Sequence, residues 1–148
     1  GGPISLTDPK MKRFFMTKDD AVNLIISATT LAKGGETFVL KMPLIRLDDL
    51  FEAMKETLSP KYGYKSSEIK TKIIGSRPGE KLIEFLLTSF EMENILETKD
   101  FFIIPSLNLS TKNLKYPNAK KSKKDKLYFE NMTTLSKQEI LSILKKLY

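Results

Sequence analysis

The stretch Gly75-Ser76-Arg77-Pro78-Gly79-Glu80-Lys81-Leu82 constrains this chain most, because two glycines and a proline within five residues leave the backbone few routes. It follows the apolar pair Ile73-Ile74 and precedes Leu82, Phe85 and Leu86. That order predicts a strand, a tight turn and a helix over Pro78–Leu87. Pro78 suits the first helical position, where no backbone donor is needed. Beside a helix N-terminus, unbonded N–H groups and the macrodipole favour an anion. A guanidinium fork at Arg77 can hold two phosphate oxygens in one plane, which a lysine cannot do. The pattern reads as a phosphate-binding turn. The plainer alternative is a capped surface helix carrying an ion pair between Arg77 and Glu80.

Composition narrows the chemistry further. The chain has 148 residues, 41% hydrophobic and 29% charged, which suits one soluble globular domain or a subdomain of a larger protein. It contains no apolar run of about 18 residues, so no membrane span is expected. No signal peptide is visible, and a cytoplasmic location is the default expectation. Gly1-Gly2 has the composition of a cloning remnant. Cysteine and histidine are both absent. Disulfides, thiolate metal sites and Ser-His-Asp or Cys-His nucleophile systems are therefore excluded. With no carboxylate cluster at metal spacing, no P-loop and no GxGxxG fingerprint, neither a metal site nor a catalytic set is expected.

The net charge of +7 is concentrated. Lys112 to Lys126 holds seven lysines against Asp125 alone, a local balance of +6 that leaves +1 for the remainder. A near-neutral body with one basic loop argues against a broad nucleic-acid-binding face.

Along the chain, Ile4 to Thr7 alternates like a short strand and runs into an Asp8-Pro9 turn. Thr17 and Asp20 form a capping box for a helix whose stripe is Val22, Ile25, Ile26 and Thr29, ending at Gly34-Gly35. Glu36 to Lys41 reads as a strand. Leu47, Leu50, Phe51, Met54 and Leu58 mark a second amphipathic helix. Lys70 to Ile74 and Phe101 to Ile104 read as further strands, Lys112 to Lys126 as a loop or hairpin, and Ser136 with Glu139 as a capping box opening a last helix. Such alternation favours a layered α/β sheet.

A second concentrated signal is Thr7-Asp8-Pro9-Lys10-Met11-Lys12-Arg13-Phe14-Phe15-Met16-Thr17. The bland reading makes Phe14-Phe15-Met16 a core plug and Arg13 a surface cation. Read with the Gly75 turn, two arginines on two connections could converge on one diphosphate. Together with Lys33-Gly34-Gly35-Glu36, Tyr116-Pro117 and the Leu135-Ser136-x-x-Glu139 helix, these segments resemble the CapD-like polysaccharide-biosynthesis family. Its members are UDP-sugar 4,6-dehydratases and epimerases of the extended short-chain dehydrogenase/reductase superfamily, and the resemblance covers Pro3 to Tyr148.

The resemblance implies a C-terminal substrate-binding part, residues 1–148, with a small mixed-sheet α/β fold. The Rossmann domain that binds NAD(P) in the family, with its Tyr-x-x-x-Lys pair, is missing from this stretch. Tyr116 and Lys120 have that spacing by chance. The implied ligand is a UDP-sugar of the UDP-N-acetylglucosamine type, and the implied partners are the missing Rossmann portion and further copies of the parent enzyme, itself in places membrane-associated. Carried over residue by residue, Arg13 and Arg77 would clamp the diphosphate and Glu80 would meet the ribose hydroxyls or uracil edge. Thr7 and Met11 would line the nucleotide pocket, with Met42 and Glu84 as weaker members. Where the family often has a histidine, between Leu82 and Glu84, this chain has Ile83. The portion would bind but not catalyse, without a cofactor of its own. A function of another class is a non-catalytic module that docks nucleic acid or another anionic partner through Lys112–Lys126.

Overall fold

In chain order the elements of the computed structural model are β1 (Ile4–Leu6), β2 (Lys12–Phe14), α1 (Lys18–Leu31), β3 (Thr37–Leu40), β4 (Leu44–Arg46), α2 (Leu47–Leu58), β5 (Thr71–Ile73), α3 (Ser89–Met92), β6 (Leu96–Glu97), β7 (Phe101–Ile104), β8 (Lys120–Lys121), α4 (Lys126–Glu130) and α5 (Lys137–Leu147). The structure describes residues 2–106 and 115–148, so Lys112 of the basic loop and its nearest neighbours lie outside the described residues. The chain forms two units: residues 2–15, 43–84 and 133–148, and residues 16–42 and 85–132. The fold is mixed α/β, with both parallel and antiparallel strand pairs.

The first unit is built on α2 and α5. Ile45, Ala53, Ile140 and Leu144 are at most 4% exposed and pack with Phe15, Leu50, Met54 and Leu141. The expected stripe on α2 therefore does supply core residues, joined by Ala53 where the two helices meet. Ser136 caps α5 as expected: its hydroxyl accepts from Glu139 N–H at 3.3 Å, and the Glu139 carboxylate accepts from Ser136 N–H at 2.8 Å. Beside the helices lie two ribbons, β1 paired parallel to β5 and β2 antiparallel to β4.

The second unit carries the sheet β3-β7-β6-β8, antiparallel throughout. Phe102 and Ile95 on one side pack with Leu87, Met92 and Phe129, while Phe101 and Ile103 pack with Tyr116 and Phe38. Alternate side chains of β7 thus fill two small cores, as a strand covered on both faces must. One polar stitch is buried with them. Glu97 accepts from Lys41 Nζ and pairs with Lys124 Nζ, both at 3.2 Å, and both lysines sit over the Phe102 ring. Burial works against the Glu97 charge, but hydrogen bonds from Lys41 and Lys124 outweigh it and hold the carboxyl below its usual value.

Three expectations are corrected. In place of a layered sheet, the strands among the described residues form three small sheets of two, two and four. The helix α1 forms, with its Thr17–Asp20 capping box, but Val22, Ile25 and Ile26 are 52–65% exposed; Leu24 and Leu31 make the packing contacts instead. The helix over Pro78–Leu87 is absent. Gly79 takes φ +86°, outside helical space, and the Leu82 carbonyl that a helix would use accepts Lys12 N–H at 2.7 Å.

Because the Glu97 carboxyl is held below its ordinary value of 4.5, its contribution is present above that pH and is lost as pH falls below it. Glu97→Gln is expected to cost about 2 kcal/mol at pH 7, the scale of a charge-assisted hydrogen bond, and to flatten the acid loss. Urea titrations of both chains at pH 7 and in acid check this; equal acid sensitivity would refute it.

Candidate functional site

The parallel pair β1–β5 brings the two sequence motifs to one end of the first unit. Ile4, Ser5 and Leu6 pair with Thr71, Lys72 and Ile73, and Ile74 N–H donates to the Leu6 carbonyl at 2.9 Å. Thr7, half-buried, leaves β1 beside the point where Gly75 leaves β5. The space beyond the carboxyl ends of parallel strands is a general place for ligands in α/β structures.

Each exit is shaped by a turn. After Thr7, Asp8 Oδ1 accepts Lys10 N–H at 2.7 Å and the Asp8 carbonyl accepts Met11 N–H at 3.1 Å, with Pro9 fixing the backbone between. Met11 is 3% exposed and belongs to the core. Beyond β5, Glu80 N–H donates to the Arg77 carbonyl at 3.1 Å, and Arg77 N–H donates to the Glu80 carboxylate at 2.9 Å. Proline at the second position and a positive-φ glycine at the third are the signature of a type II turn. No heavy atom lies within 4 Å of a Cβ built on Gly79, so backbone conformation alone demands glycine there.

Arg13 lies on β2, opposite Ile45 of β4. Its Nη1 donates to the Lys12 carbonyl at 2.7 Å and reaches the Leu82 carbonyl at 3.4 Å. Lys12 also bridges to Ile83. The segment after the Arg77 turn is therefore laced to the strand that holds Arg13. Arg77 is exposed. Among the described residues neither arginine has a carboxylate partner. The Arg77–Glu80 ion pair of the plainer alternative does not form, because Glu80 is turned to the backbone of its own turn. Glu84, exposed, follows the bridge at Ile83, and Met42 belongs to the second unit, where it is half-buried after β3.

The arrangement can offer an anion two guanidinium groups and a carboxylate with a free edge. A cavity of about 410 Å³ in the same unit, lined by Ile4, Met54, Leu58, Tyr62, Tyr64 and Ile69, is apolar and includes neither arginine. Among the described residues no group of three or more acidic side chains could hold a metal. Tyr116 is 5% exposed, and burial followed by the Glu36 carboxylate pushes its phenol up to about 12. A phenol so raised keeps its proton at neutral pH.

Residues 1–106 match the model of a family described as polysaccharide biosynthesis protein. The chain belongs to that family. An uncharacterized membrane protein of Methanocaldococcus jannaschii is 43% identical over 150 residues, covering 99% of this chain and 42% of the relative. An inverting UDP-N-acetylglucosamine 4,6-dehydratase of Campylobacter jejuni is 32% identical over 110 residues, 74% of this chain and 30% of its own. Among solved structures, Pen from Bacillus thuringiensis superposes with a TM-score of 0.81 at 40% identity, over 98% of this chain and 41% of that one. The chain thus spans well under half the length of these relatives.

Sequence reading missed the β2–β4 ribbon that carries Arg13. Its signal was present in the apolar pairs Phe14-Phe15 and Leu44-Ile45, set against each other across Pro43, but strands of three residues give too short a period to recognise. Gly79→Ala is expected to destabilise the chain by about 1–2 kcal/mol, the cost of placing a Cβ in left-handed space, whereas Ser76→Ala should change it little. Thermal unfolding of the two variants checks the turn; equal shifts would refute it.

Proposed function

We propose that this chain is the nucleotide-sugar-binding portion of a UDP-sugar 4,6-dehydratase or epimerase of polysaccharide or glycan synthesis, with a UDP-N-acetylglucosamine-type substrate. The observation that carries the reading is that the segments leading to Arg13 and Arg77 leave one end of the parallel pair β1–β5 side by side, neither arginine having an acid partner among the described residues. Two separated guanidinium groups suit the two phosphates of a diphosphate, each able to take two oxygens. The carboxylate of Glu80 accepts one backbone N–H and keeps acceptor capacity for ribose hydroxyls. Thr7 stands at the exit of β1, and Glu84 follows the bridge between Lys12 and Ile83. The relative from Campylobacter jejuni, named for action on UDP-N-acetylglucosamine, supports the substrate class.

The nicotinamide cofactor such an enzyme uses does not fit the residues present. Where a dinucleotide cradle needs a glycine-rich turn opening a helix, β1 runs into Asp8-Pro9 and no GxGxxG occurs. We therefore assign binding and orientation of the UDP moiety to this chain, and cofactor binding and the chemistry at the sugar to another portion of the enzyme.

Titrating UDP into the chain, followed by backbone amide shifts, is expected to perturb Thr7–Arg13 and Gly75–Glu80. Arg77→Ala should weaken the interaction by about tenfold or more, as loss of a charge-assisted contact implies, and uridine should bind more weakly than UDP. Equal affinity for uridine and UDP, or indifference to both Arg13→Ala and Arg77→Ala, would overturn the assignment.

A further inference from the structure

The basic segment is built into the second unit rather than trailing from it. Tyr116 is buried edge-to-face against Phe38 at 6.3 Å between ring centres. Lys120–Lys121 pair with β6 as the outer strand of the sheet. Ser122 is 9% exposed, and its N–H donates to the Ile95 carbonyl at 3.0 Å. Lys124 turns inward to Glu97 and lies over the rings of Phe102 and Tyr128, at 5.3 and 4.5 Å. Inward positions hold the segment to the sheet while Lys115, Lys120, Lys121 and Lys123 stay exposed and make no ion pair among the described residues. A single lysine suffices to blunt an edge strand. Four unpaired cations in nine residues exceed that need, on a chain whose remaining charge is nearly balanced.

We propose that this fixed lysine ridge docks the protein on an anionic lipid surface. Four exposed lysines reach the number at which a polybasic cluster holds to acidic headgroups, about four to eight. The ridge contains no arginine to fork onto base edges, and of the aromatic rings around it Tyr116 and Phe129 are buried while Tyr128, 42% exposed, is a single ring with Lys124 over it, too little for a run of stacked bases. Compact ammonium charges carried on a rigid strand suit a diffuse sheet of phosphate headgroups. Attraction between such exposed charges and lipid headgroups is screened by salt, so the contact is salt-sensitive.

The test is co-sedimentation of the full chain with phosphatidylcholine vesicles, with and without phosphatidylglycerol, at low and high salt. Binding is expected only to the anionic vesicles and to fall with salt. The triple variant K120E/K121E/K123E should lose about a hundredfold or more in partitioning. A control of equal net charge, K65E/K72E/K146E, alters exposed lysines of the other unit and should keep most of it. Circular dichroism melts confirm that both variants fold. Equal losses in the two variants would reduce the effect to net charge and overturn the ridge. Absence of binding to anionic vesicles, or tighter binding of a short DNA duplex at equal phosphate, would overturn the lipid assignment.

Discussion

The parallel pairing of Ile4–Leu6 with Thr71–Ile73 is the constraint on which the candidate site depends. More than sixty residues separate the two strands, so the pair closes a long crossover that contains α2. What holds it in register is burial. Leu6 is 3% exposed, and a slip of one residue would turn it outward and bring Ser5 in. The same slip would carry the Arg77 turn along by about 3.3 Å relative to Thr7, beyond the tolerance of a hydrogen-bonded ligand site. Fixing a hydrophobic side chain therefore also fixes where two distant polar turns meet.

The second unit solves a different problem with similar economy. A strand such as Phe101–Ile104 has large side chains on both faces and must be covered twice. Helix α1 contributes Leu24 and Leu31 to one side, while Leu87, Met92 and Phe129 cover the other. The Lys41–Glu97–Lys124 stitch sits where β6 would otherwise bury a lone carboxylate, which would be costly. Two lysines against one acid leave a positive excess, and the ring of Phe102 under both ammonium groups lowers the cost of holding them close.

Much of this was legible in the sequence wherever a local rule decides the outcome. Thr17 with Asp20 and Ser136 with Glu139 announce helix starts because a capping box satisfies backbone donors within four residues and needs nothing distant. Phe101–Ile104 and Thr71–Ile73 were readable from apolar or β-branched runs. The arginines were readable as a pair from the two connections that carry them and from the resemblance; periodicity says nothing of which turns meet. Two misreadings share a cause. The spacing of Leu82, Phe85 and Leu86 is helical, as is that of Val22, Ile25 and Ile26, yet Leu82 and Phe85 are 47% and 41% exposed in a segment that is no helix, and the α1 stripe is not the packed face. Spacing records that apolar residues recur, and what covers them is decided elsewhere in the chain. At Pro78-Gly79 a turn preference local to two residues overrode a helical period ten residues long.

That override changes the physics expected of the site. With no helix after the turn, no macrodipole and no fan of free N–H groups meets an anion there; Arg77 N–H is already spent on Glu80. Attraction must come from the side chains of Arg13, on β2, and Arg77, on a turn whose geometry is set by Gly75 and Gly79. Arg13 is partly restrained by the carbonyls of Lys12 and Leu82, so little freedom is lost when it meets a ligand. Arg77, exposed and without an ion pair among the described residues, has more to lose. The two arginines are therefore unequal instruments: Arg13 provides a fixed charge, and Arg77 a mobile fork whose ordering is a cost of binding. A site of that kind would gain most from anything that closes over Arg77.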